Sequence, residues 1–391
     1  MMAHADQTLA EVLRDIARDQ HYDDPHIDID PINSGGANYT SKLYLATITS
    51  QGKDKIDVFA KVGSINEQIR AQMNADCLFR TEHIIYTKLI KIWDSLQEKY
   101  QVPDEHRFVF PKYFGGNLKK GRETVVLENL ITAGYRSYDR FKSVDWDYAS
   151  KSVESLAKYH ALSIILEKED PEEYRKFSDQ FKFEMVDDDE TQREMWAKVV
   201  EDAVALIDEE LREKVVKFLQ RDVRQMYIDF KTPRGLPVLV HGDYRPSNLL
   251  YRRQNNELEV LPIDYQTVHT GCPASDLIYF VVTATDEEFR REHYQRLVDH
   301  YHQTLGHALR LYKLDVEQIY PRTKFDDDLK ELMSSALMLG MMVLPVVLVD
   351  AECAPRMETA TGIDSFLIKP TQFFAERLAG IVRDLVRWDV I

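Results

Sequence analysis

A motif near the middle of the 391-residue chain, His241-Gly242-Asp243 followed by Asn248, most constrains its fold and chemistry. An apolar run ends at this motif, which predicts that a strand holds the Asp243 carboxylate at its end. After a polar turn, a second apolar run ends at Asp264. Asp243, Asn248 and Asp264 together provide hard oxygen ligands for Mg²⁺ and a carboxylate that can act as a base. Phosphoryl transfer from a nucleotide to a hydroxyl requires both, so the motif predicts this chemistry.

Each of these polar residues, taken singly, is also typical of a solvated turn. The spacing of the whole set favours the catalytic interpretation. His241 lies at a predicted strand end beside a glycine, and we expect it to brace the loop through hydrogen bonds rather than to bind a metal. A third acid, Asp276, opens an apolar helix-like segment, Leu277–Thr283.

Composition is that of a globular protein with a large core. Hydrophobic residues make up 44% of the chain and charged residues 30%, and the length suggests two or three domains. A net charge of −16 argues against a nucleic-acid partner. The three cysteines are far apart, which favours a reducing compartment, and we expect a cytoplasmic protein. The N-terminus lacks a basic start followed by an apolar stretch, so no secretory signal is expected.

The longest apolar stretch, Ala336–Val349, contains Gly340 and Pro345 and is too short to span a bilayer. It predicts a buried helix or two segments broken at Pro345. No membrane partner is expected, and the sequence predicts no particular oligomeric state.

The first part of the chain predicts a helix over Thr8–Asp19, followed by two strands around a glycine turn at Gly35 and Gly36. The second of these strands covers Tyr39–Thr49. Small residues in such a turn let backbone N–H groups approach phosphate oxygens closely. A plain hairpin turn would have the same composition, so the turn alone decides nothing.

A further predicted strand, Ile56–Val62, carries Lys61 among apolar neighbours. A charge in an apolar strand needs a partner. Glu82, on the predicted helix Leu78–Trp93, lies among apolar residues and is the expected partner, although an exposed helix position is the alternative for Glu82. The sequence therefore predicts an ion pair between Lys61 and Glu82.

Two more strands are predicted over Phe108–Phe114 and Thr124–Leu127. The extended segment Glu128–Leu130 follows the second, and its backbone could meet the edge of an adenine ring. We place a lobe boundary here, because the chain afterwards is predominantly helical in pattern. The predicted helices are Tyr148–Leu166, Glu190–Phe230, Glu287–Leu311, Phe325–Met342 and Gln372–Trp388.

The order of these motifs resembles that of the kinase-like phosphotransferases that act on small molecules, such as choline kinases and aminoglycoside phosphotransferases. It is most similar to the ecdysteroid kinase-like family. This family often has an aromatic residue where the chain has Arg245, and usually Phe where it has Tyr265. The motifs that carry the resemblance are Val58-Phe59-Ala60-Lys61-Val62, Phe79-Arg80-Thr81-Glu82, Val126-Leu127-Glu128-Asn129-Leu130, Leu156-Ala157-Lys158-Tyr159-His160-Ala161, His241-Gly242-Asp243 with Asn248, Ile263-Asp264-Tyr265-Gln266 and Pro273-Ala274-Ser275-Asp276-Leu277.

The resemblance implies an α+β, protein-kinase-like fold with two lobes and ATP between them. Residues 1–130 would form the N-terminal lobe, with an antiparallel sheet and one main helix, and residues 131–391 a mostly helical C-terminal lobe. Asp243 would orient and deprotonate the acceptor hydroxyl. Asn248 and Asp264 would hold Mg²⁺.

The remaining roles implied by the resemblance concern the nucleotide and the loop. Lys61 would bind the α- and β-phosphates of ATP, and Glu82 would hold Lys61. The backbone at Glu128 and Leu130 would meet adenine. Asp276 would support the catalytic loop together with His241.

The family also implies an acceptor. An ecdysteroid, phosphorylated at a side-chain hydroxyl such as that on carbon 22 to give an inactive conjugate, is the leading candidate. The acidic composition leaves choline-like or aminoglycoside-like amino-alcohols as an alternative. A nucleotide-binding pseudokinase is a second alternative. A metal-dependent hydrolase built on His241, Asp243, Asp264 and His269 is a third, and the hairpin offers it few ligands.

Overall fold

The computed structural model describes residues 4–32, 40–65, 67–183, 190–350, 352–353, 368 and 371–391. The strands are β1 (His26–Ile32), β2 (Ser41–Thr49), β3 (Ile56–Gly63), β4 (Tyr113–Asn117), β5 (Thr124–Glu128), β6 (Arg136–Ser137), β7 (Val238–Val240), β8 (Leu249–Gln254), β9 (Glu257–Pro262) and β10 (His269–Gly271). The helices are α1 (His4–Asp19), α2 (Glu67–Gln72), α3 (Ala75–Ile84), α4 (Ile90–Lys99), α5 (Trp146–Glu169), α6 (Pro171–Gln180), α7 (Glu190–Ala205), α8 (Glu209–Phe218), α9 (Val223–Lys231), α10 (Pro273–Ala284), α11 (Glu287–Leu311), α12 (Val316–Ile319), α13 (Arg322–Leu332), α14 (Ser335–Met342), α15 (Leu344–Val347) and α16 (Gln372–Arg387).

The chain forms two compact units. The described part of the first comes from residues 4–90 and 110–136, and most of the second from residues 91–109, 137–349 and the C-terminal helix. These units are defined by packing, so the division of functional lobes at residue 130 stays a prediction.

The first unit is an antiparallel sheet with strand order β1-β2-β3-β5-β4, covered by α1. Leu9, Leu13 and Ile16 lie on one face of α1, at helical spacing, and pack with buried strand residues. Side chains alternate along a strand, so Val58, Ala60 and Val62 of β3 share the face that packs with α1. Lys61 therefore lies on the opposite face, which explains how an apolar strand accommodates a lysine.

The second unit is mostly helical. Its longest helices, α5 and α11, pack against each other, and Asp145 caps α5 by accepting a hydrogen bond from the Tyr148 N–H at 2.8 Å. The unit also contains short strands: β7 pairs with β10, and β8 pairs with β9 in a hairpin. Asn255 and Asn256 form the tip of this hairpin with φ of +53° and +64°, values that Asn tolerates.

The α+β fold class predicted from the sequence is confirmed, and most predicted elements are present. The strand predicted over Phe108–Phe114 is wrong for its first part, because β4 begins at Tyr113. The side chain of Gln97 bonds both backbone groups of Phe108, accepting from its N–H at 2.7 Å and donating to its carbonyl at 3.1 Å. The side chain of a glutamine on α4 thus makes the two backbone hydrogen bonds that a neighbouring strand would make.

Two long helices predicted from apolar patterns are divided in the structure. The segment predicted over Glu190–Phe230 forms α7, α8 and α9, and that over Phe325–Met342 forms α13 and α14. The apolar stretch Ala336–Val349 is split between α14 and α15, with Pro345 in the first turn of α15. Within the described residues, no helix has the length and apolarity needed to cross a bilayer.

Candidate active site

The loop after β7 is held by the carboxylate of Asp276, in the first turn of α10. Its two oxygens accept the backbone N–H groups of His241 at 2.7 Å and Gly242 at 2.9 Å. Gly242 has φ of +80°, and a Cβ there would lie 2.4 Å from the carbonyl oxygen of Thr267. Only glycine fits this turn, so its backbone amide can reach Asp276.

Asp276 is fixed from its other side by His160 of α5. His160 Nε2 lies 3.2 Å from an Asp276 oxygen, and His160 Nδ1 lies 2.6 Å from the hydroxyl of Tyr301. Burial alone would raise the pKa of Asp276, but hydrogen bonds and neighbouring charges, those of His160 first, together lower it. His160 is therefore a buried helix histidine whose two ring nitrogens both face hydrogen-bond partners.

His241 braces the same loop. Its Nε2 lies 3.0 Å from the carbonyl of Ile263, and burial lowers its pKa, so a neutral imidazole that donates to the carbonyl is favoured. These contacts are hydrogen bonds within the loop region, and the supporting role of His241 for catalysis stays a prediction. They also connect the β7 loop with the segment that carries Asp264.

Three donors surround the carboxylate of Asp243. The Tyr279 hydroxyl donates at 2.6 Å, the Asn248 amide at 2.8 Å, and Arg245 Nε lies 2.9 Å away. Burial would raise the pKa of Asp243, but the guanidinium of Arg245 and the hydrogen bond from Tyr279 outweigh it and lower the pKa. The carboxylate is therefore ionised over the physiological pH range.

Asn248 and Asp264 are brought together by the hairpin. The N–H of Ile263 donates to the carbonyl of Asn248 at 2.9 Å, directly before Asp264, and Leu249 pairs with Pro262. Asp264 has φ of +68° and stands where the chain leaves the strand. Against burial, the charge of Asp243 and, to a smaller extent, that of Asp264 raise the pKa of Arg245.

The donor chemistry of this pair fits Mg²⁺. Asn248 directs its amide nitrogen at Asp243, so its Oδ1 is the amide atom suited to a cation. An amide oxygen and a carboxylate are hard ligands, and Mg²⁺ in nucleotide sites commonly has one or two protein ligands besides phosphate and water. Among the described residues, no group of three or more His, Cys, Asp or Glu could hold a metal ion.

The first unit contains the predicted ion pair. Lys61 Nζ lies 2.9 Å from Glu82 Oε1, and both side chains are buried. Glu82 therefore lies inside the unit, and the alternative of an exposed helix position is wrong. A second buried pair, Arg70 with Glu123, is present beside Gly63 and was not predicted.

The other residues predicted to bind the nucleotide are Gly35, Gly36, Glu128 and Leu130. Gly35 and Gly36 lie outside the described residues. The Glu128 N–H donates to the carbonyl of Lys112 at 2.9 Å, and the Leu130 carbonyl accepts from the N–H of Tyr135 at 3.0 Å. The adenine contact at Glu128 and Leu130 remains a prediction.

Tyr279 is the residue that the sequence analysis missed. It was counted within an apolar segment, yet its hydroxyl is the closest donor to Asp243. Tyr279 lies three residues after Asp276 on the same helix, and residues i and i+3 share a helix face. This spacing was the sequence signal that Tyr279 could lie near the Asp243 loop.

The sequence profile of the ecdysteroid kinase-like family matches residues 35–314. This match covers most of the chain, including the Lys61–Glu82 pair of the first unit and the Asp243 loop of the second. The chain belongs to the ecdysteroid kinase-like family. It is therefore a small-molecule kinase-like phosphotransferase with an alcohol group as acceptor, and its α+β fold is kinase-like. Among curated proteins, no sequence matches this chain.

Several solved structures are similar in fold. The ethanolamine kinase of Plasmodium vivax is 11% identical over 93% of this chain and 84% of that one, with a TM-score of 0.42. A microcompartment-associated aminopropanol kinase is 10% identical over 97% and 98%, with a TM-score of 0.45. The GDP complex of aminoglycoside 2′-phosphotransferase-IIIa is 14% identical over 96% and 98%, with a TM-score of 0.44. At this distance the substrates of these proteins say nothing about the acceptor of this chain.

Proposed function

We propose that the protein transfers the γ-phosphoryl group of ATP, in the presence of Mg²⁺, to a side-chain hydroxyl of an ecdysteroid. The observation that carries the proposal is the ionised carboxylate of Asp243, held at a strand end by Asn248, Arg245 and Tyr279. An attacking hydroxyl needs a fixed, ionised carboxylate that orients it and accepts its proton, and Asp243 is such a group.

Asp243 acts as the base. An ionised carboxylate has about four lone-pair sites. Asn248, Arg245 and Tyr279 hold the carboxylate in place, and in the proposed mechanism the acceptor hydroxyl donates to one of its oxygens. As the acceptor oxygen forms its bond to the γ-phosphorus, the bond from phosphorus to the β-phosphate oxygen breaks, ADP leaves, and the hydroxyl proton passes to Asp243.

Asn248 and Asp264 would hold the magnesium ion. When bound, Mg²⁺ offsets the negative charge of the phosphates. The Asn248 side chain also donates to Asp243, so one residue would connect the metal site with the base. This link would keep the acceptor and the phosphate in a fixed relation.

Lys61 binds the α- and β-phosphates in this proposal. A buried ammonium retains its charge only with a partner, and Glu82 provides one at 2.9 Å. The pair would hold the lysine ready for an anionic ligand.

The acceptor class rests on the family alone. The product would be a phosphate monoester of the steroid. Its added charge would prevent it from binding at sites that accept the neutral hormone. The protein would thus inactivate its substrate.

The test is mass spectrometry of ATP-dependent products formed by the purified protein from ecdysteroids and amino-alcohols. We expect a mass increase of one phosphate on the ecdysteroid that requires both ATP and Mg²⁺. Tight ligand binding without any product would instead favour the pseudokinase alternative.

Replacing Asp264 with Ala is expected to weaken Mg²⁺-dependent ATP binding by about 100-fold, because a metal ion contributes several kcal/mol at phosphate oxygens. Isothermal titration calorimetry of ATP with MgCl₂ and with EDTA measures the change. Glu257→Ala is the matched control, since Glu257 is an exposed acid on the same hairpin and should bind ATP normally. Unchanged affinity of Asp264→Ala in MgCl₂ would refute the metal assignment.

A further inference from the structure

Aromatic rings of the second unit extend from Phe183 to the Asp243 carboxylate. Phe183 and Trp196 each contact Tyr227, with ring centroids 5.6 and 5.9 Å apart, and the Tyr279 hydroxyl donates to Asp243 at 2.6 Å. We call Phe183, Trp196, Tyr227 and Tyr279 the aromatic wall. Its first three rings are only partly buried, whereas the large rings of the core are fully covered. Partly exposed rings beside a catalytic carboxylate are suited to binding an apolar ligand.

The aromatic wall is joined by a buried ammonium. Lys231 Nζ lies 5.9 Å from the ring centres of both Tyr227 and Tyr279. It also donates to the carbonyl of Gly242 at 3.1 Å, next to Asp243. Aromatic rings recognise quaternary ammonium ligands by cation–π contact, and here two rings already face the protein's own cation. A quaternary ammonium acceptor would therefore have to compete with Lys231 for these two rings.

A buried acceptor atom lies beside the aromatic wall. The ring of His269 contacts that of Phe183 at 5.9 Å. His269 Nδ1 bonds the carbonyl of Thr267 at 3.0 Å and therefore carries the proton. In the described part of the chain, no group hydrogen-bonds His269 Nε2, although the residue is only 5% exposed. Burial and the charge of Lys231 lower the pKa of His269 to about 3, so Nε2 stays an unprotonated acceptor that lacks a donor.

We infer that the aromatic wall, with Lys231 and His269, is the acceptor-binding surface and that it takes an uncharged alcohol with a rigid apolar body. The rings would cover the apolar body, His269 Nε2 would accept a second hydroxyl of the ligand, and Lys231 would exclude amino-alcohols. The inference rests on the proposed function, because Asp243 defines where the reacting hydroxyl must lie. It identifies which residues select the substrate, and it rules against the cationic acceptors that the acidic composition left open.

Fluorescence of Trp196 reports binding at this surface without requiring turnover. Ecdysone is expected to quench the fluorescence of the wild-type protein, with a dissociation constant at least about tenfold lower than that of choline, because Lys231 already faces two of the rings that would contact the choline cation. The quenching should be lost in Trp196→Phe. Trp388→Phe is the matched control, since Trp388 is also partly exposed but packs on Tyr294, and it should keep the quenching.

Two further variants test the role of each part. Tyr227→Ala is expected to raise the KM for ecdysone by about tenfold while the KM for ATP stays the same, because only the acceptor loses a contact. In Lys231→Met, the dissociation constants of choline and of 3,3-dimethylbutan-1-ol, the uncharged isostere of choline, are expected to be more similar than in the wild type. If Lys231→Met does not fold, the same pair of ligands compared on the wild-type protein decides the point, and tighter binding of choline would overturn the inference.

The outcomes separate the two proposals. Quenching by ecdysone without phosphorylation of any alcohol would refute the kinase proposal and leave the acceptor surface standing. Phosphorylation of ecdysone with normal KM values in Tyr227→Ala and unchanged quenching in Trp196→Phe would refute the acceptor surface and leave the kinase standing. Preferred phosphorylation of choline would refute the selection of uncharged acceptors.

Discussion

Replacing Asp243 with Asn is expected to lower kcat by about 10²–10⁴-fold, the usual range for loss of a general base. The amide keeps the size of the side chain and one acceptor oxygen, but it cannot take the proton of the acceptor hydroxyl. Affinity for ATP should stay within about twofold, because in the proposed mechanism Asp243 contacts the hydroxyl rather than the nucleotide. Initial rates of ADP formation and a separate ATP titration measure the two quantities.

Asp286→Asn is the matched control for this substitution. Asp286 caps α11 by accepting from the Phe289 N–H at 2.8 Å, and Asn caps a helix equally well. Its kcat should be that of the wild type. If Asp243→Asn retained a tenth of the wild-type kcat or more, the carboxylate would not be the base.

Arg245→Met provides an independent check through pH. In the wild type the pKa of Asp243 is lowered, against burial, first by the charge of Arg245. A base works in its ionised form, so activity should fall only below about pH 4, the ordinary range of an Asp carboxyl. Without the guanidinium the pKa rises, and the acid limb of kcat/KM should move to higher pH. An unmoved limb would mean that another group titrates.

Contacts within each unit were predictable where a local pattern required a partner. Lys61 in an apolar strand needed an anion, and Glu82 supplies it at 2.9 Å. The spacing from Asp243 to Asn248 is that of one turn, which returns the amide to the carboxylate at 2.8 Å. In both cases the physical requirement is visible within a few residues of sequence, and the family resemblance put the pieces in order.

What the sequence did not reveal depends on tertiary packing. Tyr279 reads as part of an apolar helix, and only the placement of α10 brings its hydroxyl to Asp243. The apolar residues near Phe108 have the pattern of a strand, yet the backbone of Phe108 hydrogen-bonds the side chain of Gln97 instead of a neighbouring strand. The local charge around Asp243 also differs from the average of the chain, since a chain with a net charge of −16 places Arg245 beside this carboxylate and Lys231 on the neighbouring Gly242 carbonyl.

Replacing Asp276 with Ala is expected to lower the free energy of unfolding by about 3–5 kcal/mol, the range for removing one partner of a buried charged pair. The substitution leaves the N–H groups of His241 and Gly242 and the imidazole of His160 without their shared acceptor. Urea unfolding at pH 7 measures the change, on the assumption of one cooperative transition for the second unit. Asp327→Ala, an exposed acid on α13, is the control and should differ from the wild type by less than about 0.5 kcal/mol.

The pH dependence of this loss identifies the carboxylate as its source. The pKa of Asp276 is lower in the folded protein than in the unfolded chain, so its contribution is complete above the unfolded value of about 4 and disappears as pH falls through the folded value. The difference in unfolding free energy between the wild type and Asp276→Ala should therefore be constant from pH 7 to about pH 5 and shrink below about pH 4. A difference that stayed the same at pH 3 would arise from lost packing alone, and the loop would then not depend on the charge of Asp276.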